Sequence, residues 1–154
     1  MKKGIKNEKL YPKLVIIDLE LVGLMPKRIV SNSGFDAFTQ SLEAYASKNS
    51  NFISDFFALK SLELIFSNFE KSWEDSKNIY AREKMAIASL LSGLAIGITD
   101  TNLAHAMSHP LSAHYHVPHG IAVLLCTFQS IQFNKSIVND KYSDIAKLLD
   151  NKNN

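Results

Sequence analysis

The chain has 154 residues, 46% of them hydrophobic and 21% charged, and its 17 Lys+Arg against 15 Asp+Glu leave a net charge of +2. That is a globular composition, with too little charge to favour nucleic acid or an anionic membrane as a partner. The single cysteine, Cys126, rules out a disulfide framework and a cysteine-built zinc site. Met1-Lys2-Lys3 leads into Asn7, Glu8 and Lys9 rather than an apolar run, so no secretory signal is read. No apolar stretch reaches the roughly 18 residues that span a bilayer. A reduced, cytoplasmic protein is expected.

In chain order, residues 1–25 read as an entry segment. Leu14-Val15-Ile16-Ile17 is short, apolar and β-branched, closed by Asp18, and is expected as a buried strand or an extended stretch. Residues 26–150 read as one all-α domain. Pro26 opens a helical turn over Lys27 to Asn32, and Ser33-Gly34 reads as a break. A helix from about Phe35 to Ser47 carries Phe38, Leu42 and Tyr45 on one face. Another, from about Phe52 to Phe69, is capped by Asn51 or Ser54. Trp73 to Asn78 is polar and reads as a loop. A long helix follows from about Ile79 to Ile98, and Gly93 and Gly97 inside it are expected to mark close helix–helix contacts. Asp100 or Thr101 can cap the next helix, which Pro110 is expected to end or kink. Pro118 opens a helix to about Asn134, and a last amphipathic pattern covers Val138 to Leu149.

All five histidines lie between His105 and His119. Histidine is the commonest metal ligand and the usual proton carrier near neutral pH. Two polar pairs have i,i+4 spacing, Asp36 with Gln40 and His105 with His109, so each pair shares a helix face. His119, after Pro118, falls in the first turn of a helix. One carboxylate with several imidazoles suits Zn²⁺ or Fe²⁺. Each residue also has a plainer role open to it: Asp36 as a helix cap, Gln40 as a solvated residue, His105 and His109 as hydrogen-bonded core histidines, His114 and His116 as turn residues. The spacing is that of a zinc-protease helix, but Ala106 stands where that helix needs a glutamate. Cys126 reads as an inert core thiol, and Glu43, Arg82 and Glu83 as structural pairs or caps. No glycine-rich strand–turn–helix signature for a dinucleotide occurs.

Taken together, Gly34-Phe35-Asp36-Ala37-Phe38-Thr39-Gln40, Glu43-Ala44-Tyr45, Ala81-Arg82-Glu83-Lys84-Met85, His105-Ala106-Met107-Ser108-His109-Pro110-Leu111-Ser112-Ala113 and Pro118-His119-Gly120 resemble, in order and spacing, the iron-containing (group III) alcohol dehydrogenases. The resemblance runs from about Leu10 to about Asn134. It implies the all-α C-terminal half of a dehydroquinate synthase-like fold, with the α/β nucleotide-binding domain outside this chain. It further implies a divalent metal, Fe²⁺ or Zn²⁺, held at Asp36, Gln40, His105 and His119, with His109 assisting proton transfer. Gln40 departs from the family's usual histidine, and an amide oxygen is the poorer donor.

The activity implied is NAD(P)-linked oxidoreduction of a small alcohol or aldehyde. The chain alone, lacking the cofactor half, is expected not to turn over. It is expected to pair with a separate nucleotide-binding half or with a second copy through an exposed, histidine-rimmed cleft wall. Two rivals remain open: a non-catalytic helical metal-binding or interaction module, and the glycerol dehydrogenase or dehydroquinate synthase branches. Met107-Ser108-His109-Pro110 favours the alcohol dehydrogenase branch.

Overall fold

The computed structural model describes residues 7–150. The start of the expected entry segment, residues 1–6, and the tail Asn151 to Asn154 lie outside the described residues. After a short 3-10 turn at Glu8–Leu10 come α1 (Leu19–Gly23), α2 (Lys27–Tyr45), α3 (Phe52–Glu74), α4 (Ile79–Thr99), α5 (Leu103–Tyr115) and α6 (His119–Asp150). No strand occurs among the described residues.

Helix α2 is the hub, packing on α3, α4, α5 and α6. Its apolar positions build two clusters. Leu42, Ala44 and Tyr45 meet Ala58, Leu62, Ala95 and Ile145. Ala37 meets Ile65, Met85 and Ala88. A third cluster, Ala104 with Val123 and Cys126, joins α5 to α6. There burial pushes the Cys126 thiol above its usual pKa, which keeps it neutral and inert. Alanine and serine at these contacts let the helices approach closely. Buried hydroxyls at these contacts find partners in turn: Ser41 Oγ lies 2.8 Å from Ser61 Oγ, and Ser61 donates to the Ala88 carbonyl at 2.8 Å. Helix α3 starts on a capping box, with the Asn51 side chain accepting from Ser54 N and Ser54 Oγ accepting from Asn51 N.

Several expectations change. The break at Ser33-Gly34 does not form; α2 runs through it. Ser33 Oγ bonds back to the Ile29 carbonyl at 2.8 Å. Gly34 is there for packing, since a Cβ would sit 2.5 Å from the Phe69 ring. Gly93 and Gly97 are not close helix contacts: a Cβ on Gly93 would meet nothing within 4 Å, and one on Gly97 only Tyr11 Oη at 3.9 Å. Gly93 instead borders an apolar cavity of about 590 Å³ between α2, α4 and the entry segment. Leu14 to Ile17 lie outside any helix or strand and are not buried, Leu14 being 76% and Ile16 79% exposed. A β-branched run forms a strand only beside a partner strand, and no second such run packs on it among the described residues.

At the C-terminal end, α3 continues to Glu74, shortening the expected loop. Pro110 sits inside α5 without ending it; the helix stops at Tyr115, with His116 left-handed at φ 55°. The two expected last helices are one run broken at Val138 (φ −121°, ψ 29°). By length and composition α6 could cross a bilayer. One of its faces nevertheless packs on α2, α3 and α5, and Val138 interrupts it.

Candidate metal centre

Helix α2 presents Asp36, Gln40 and Glu43 at i, i+4 and i+7, one face over two turns. Helix α5 places His105 in its first turn and His109 one turn on. Helix α6 begins at His119. What brings these elements together is the approach of α6 to α2. At Gly120 a Cβ would lie 2.7 Å from the Asn32 carbonyl carbon, so only glycine fits. The Asn32 side-chain oxygen also accepts from Ile121 N at 3.3 Å, satisfying a free amide at the start of α6.

Three of the expected residues converge. Asp36 Oδ1 lies 3.3 Å from His105 Nε2 and 3.6 Å from His119 Nε2. One ligand atom from each of Asp36, His105 and His119 falls within 4.8 Å of the others. Two donors on one tetrahedral ion, each about 2.0–2.1 Å from it, are separated by roughly 3.3 Å. The two gaps to Asp36 Oδ1 are close to that separation. The donor set also suits a divalent cation, with one carboxylate and two imidazoles. The His105 and His119 rings meet edge to face, 5.6 Å between centroids.

Gln40 stands beside this group. Its Nε2 donates to Asp36 Oδ2 at 2.9 Å, and its Oε1 faces Ser92 Oγ at 2.9 Å. As placed, it turns a donor rather than an acceptor toward the carboxylate. His109 is exposed, its ring stacked 6.4 Å from that of His119. His114 and His116 lie at the exposed far end of α5, away from the group.

The electrostatics centre on His105. Burial pulls its pKa down, but hydrogen bonds to Asp36 and Glu43 outweigh this and lift it from 6.5 to about 9. Without a metal, a proton on the imidazole balances the two carboxylates. Glu43, read from the sequence only as a structural pair or cap, is both. It lies 2.6 Å from His105 Nδ1 and accepts from Asn102 N and Ala104 N at 2.9 and 2.6 Å. The signal that could have found its second role was its i+7 spacing from Asp36. Asn32 carries no comparable mark. Arg82 is likewise structural, donating from Nε to the Ser72 carbonyl and from Nη1 to those of Val22 and Met25.

The chain is similar over most of its length to known proteins. The profile of the Fe-containing alcohol dehydrogenase family, C-terminal, matches residues 30–154. The 1-propanol dehydrogenase PduQ of Salmonella typhimurium is 36% identical over 151 residues, covering 94% of this chain and 41% of that protein. The solved alcohol dehydrogenase ADH/D1, from an archaeal halo-thermophile of a Red Sea brine pool, superposes with a TM-score of 0.89 at 32% identity, covering 94% of this chain and 37% of that one. Sulfoacetaldehyde reductase from Bifidobacterium kashiwanohense, solved with NAD+, superposes with a TM-score of 0.85 at 28% identity, over 96% of this chain and 43% of that one. The chain thus spans about two fifths of the length of the relatives it matches.

Proposed function

We infer the function from one premise: the chain belongs to the Fe-containing alcohol dehydrogenase family and corresponds to its C-terminal, all-helical part. We propose that it is the metal-holding half of an NAD(P)-linked oxidoreductase acting on a small alcohol or aldehyde. The observation that carries this is the convergence of Asp36, His105 and His119 at ligand–ligand spacing.

Asp36 Oδ1, His105 Nε2 and His119 Nε2 would hold Fe²⁺ or Zn²⁺. Gln40 would complete the set through Oε1 by turning its amide over. Ser92 permits that turn, because its hydroxyl proton can go to the Ser89 carbonyl at 2.8 Å, leaving Oγ to accept from the turned amide. The bound ion supplies Lewis acidity toward the substrate oxygen, and the nicotinamide cofactor carries the hydride.

The residues of this chain do the rest. His119, one-third exposed, marks the open side of the site, while buried His105 marks its floor. His109 lies one turn beyond His105 and beside His119, exposed to water, and would carry the substrate hydroxyl proton on its imidazole. The NAD(P)-binding half lies outside these residues, in another segment or another chain. The chain by itself would then bind metal without turnover, and would meet that half or a second copy of itself through the metal face. A reduced cytoplasmic setting suits the single, buried Cys126.

Titrating Zn²⁺ or Fe²⁺ into wild type, His105→Ala, His109→Ala and His119→Ala tests the reading. Wild type is expected to take up one ion. His105→Ala should lose about 100-fold or more in affinity, and His109→Ala should keep it. Equal affinity in wild type and His105→Ala would refute the metal site. Loss in His109→Ala as complete as in His119→Ala would refute the division of roles.

A further inference from the structure

Glu43 is among the least accessible charged side chains in the molecule, 2% exposed, and its carboxylate is filled by donors from one short stretch. Oε2 accepts from Asn102 N at 2.9 Å and lies 2.6 Å from His105 Nδ1, while Oε1 accepts from Ala104 N at 2.6 Å. Its own backbone carbonyl accepts from Asn102 Nδ2 at 2.8 Å. All of these donors fall between residues 102 and 105, the junction where α5 begins. A carboxylate so placed does two things at once. It satisfies the free amides at the start of α5, and it decides the orientation of one imidazole.

The second effect bears on the metal. A neutral imidazole carries its proton on either nitrogen, and a metal needs the other one bare. With Glu43 Oε2 against Nδ1, the proton kept when a metal displaces the other is the one on Nδ1, and Nε2, which faces Asp36 at 3.3 Å, is the nitrogen freed for the ion. The ring cannot rotate without breaking a buried bond to a carboxylate. The charge count points the same way. A dication with Asp36 alone leaves one uncompensated positive charge in a half-buried site; with Glu43 behind His105 the group is neutral.

We propose that Glu43 is the positioning residue of the metal centre: through His105 Nδ1 it fixes the tautomer and aim of the ligand and so strengthens metal binding without touching the ion. The inference rests on the metal reading above.

The test is Glu43→Gln, which keeps the shape, removes the charge and replaces one acceptor by a donor facing N–H groups. Zn²⁺ affinity of the 154-residue chain is read by competition titration, together with the imidazole ¹⁵N and ¹H resonances of His105 in the zinc-loaded protein. Wild type is expected to show a protected Nδ1–H on His105 with zinc on Nε2. Glu43→Gln should bind Zn²⁺ about 10–100-fold more weakly and shift that Nδ1–H upfield. Asn102→Ala is the control, because it loosens the same junction without touching His105. It should lower the melting temperature yet hold zinc affinity near that of wild type.

Glu43→Gln within twofold of wild type, or an affinity loss in Asn102→Ala as large as in Glu43→Gln, would overturn the inference while leaving the metal site standing. Wild type that takes up no zinc would overturn both. Should Glu43→Gln not fold, the wild-type spectrum alone decides: zinc on His105 Nδ1, or a proton on Nε2, rules out the role.

Discussion

Replacing Gly120 by alanine is the sharpest way to ask whether helix packing holds the site together. The added methyl would fall inside the contact shell of the Asn32 carbonyl oxygen and 2.7 Å from its carbon, with Asn32 Oδ1 at 3.1 Å. The obstacle is backbone of α2, which cannot rotate away as a side chain can. Restoring the carbon contact to the ordinary 3.4 Å means moving the start of α6 by at least about 0.7 Å. His119 is the adjacent residue, and its Nε2 stands 3.6 Å from Asp36 Oδ1. Metal–ligand distances tolerate only about 0.2 Å, so such a movement takes His119 out of bonding range.

Two effects should therefore appear together in Gly120→Ala. Overpacking of this kind costs about 1–3 kcal/mol, and for a chain of this length each kcal/mol lowers the midpoint by about 2–4 °C. A calorimetric or circular-dichroism melt should thus fall by several degrees. Zn²⁺ or Co²⁺ affinity, read by titration, should fall by at least about tenfold, and the Co²⁺ absorption bands should change shape as one nitrogen ligand is lost. If Gly120→Ala melts with wild type and binds metal equally well, the close approach of α6 to α2 does not hold His119 in place, and the account of how the site is assembled is wrong.

Metal-free stability should depend on pH through His105. Its folded pKa of about 9 stands above the ordinary 6.5, so the stabilisation is fully present below about pH 6.5 and is lost as pH rises through 9. The amount is on the order of 3 kcal/mol, and His105→Ala should flatten the denaturation midpoints measured across that window; a slope surviving in the variant would assign it elsewhere. Zinc should remove the slope by replacing the proton, and zinc affinity should rise with pH over the same range. Arg82→Met should cost about 3 kcal/mol, since it strips donors from the buried carbonyl of Ser72 and the half-buried carbonyls of Val22 and Met25. Arg82→Lys should lie between; a melt of Arg82→Met within a degree of wild type would refute that role.

The helices could be read from the chain because their apolar spacing reports neighbours on the same element. Asp36 with Gln40, and His105 with His109, were visible as pairs for the same reason. Which helices meet, and how closely, is recorded differently, at positions where a small residue admits another backbone or ring. A glycine in sequence reads as a break or as a contact, and nothing local tells them apart. Gly34 looked like a break and is a contact, while Gly93 looked like a contact and borders a cavity. Gly120 looked like part of a motif and turns out to set the distance between two ligand-bearing helices.

Glu43 was hidden by the same limit. Its acceptors are filled by donors about sixty residues away, on a helix whose placement depends on the packing of α5 and α6 against α2. Of the two readings of the entry segment, the strand is the one that did not form, for a complementary reason. Leu14 to Ile17 have the composition of a buried strand, but pairing requires a second strand, and none occurs among the described residues; Val15 and Ile17 instead border the apolar cavity. Residue types alone thus point to the chemistry proposed for the centre, while its geometry depends on backbone approaches that leave only a glycine or an asparagine in the sequence. Variants at Gly120 and Glu43 consequently bear on the metal reading more sharply than further variants of the histidines, because they disturb the arrangement while leaving every proposed ligand in place.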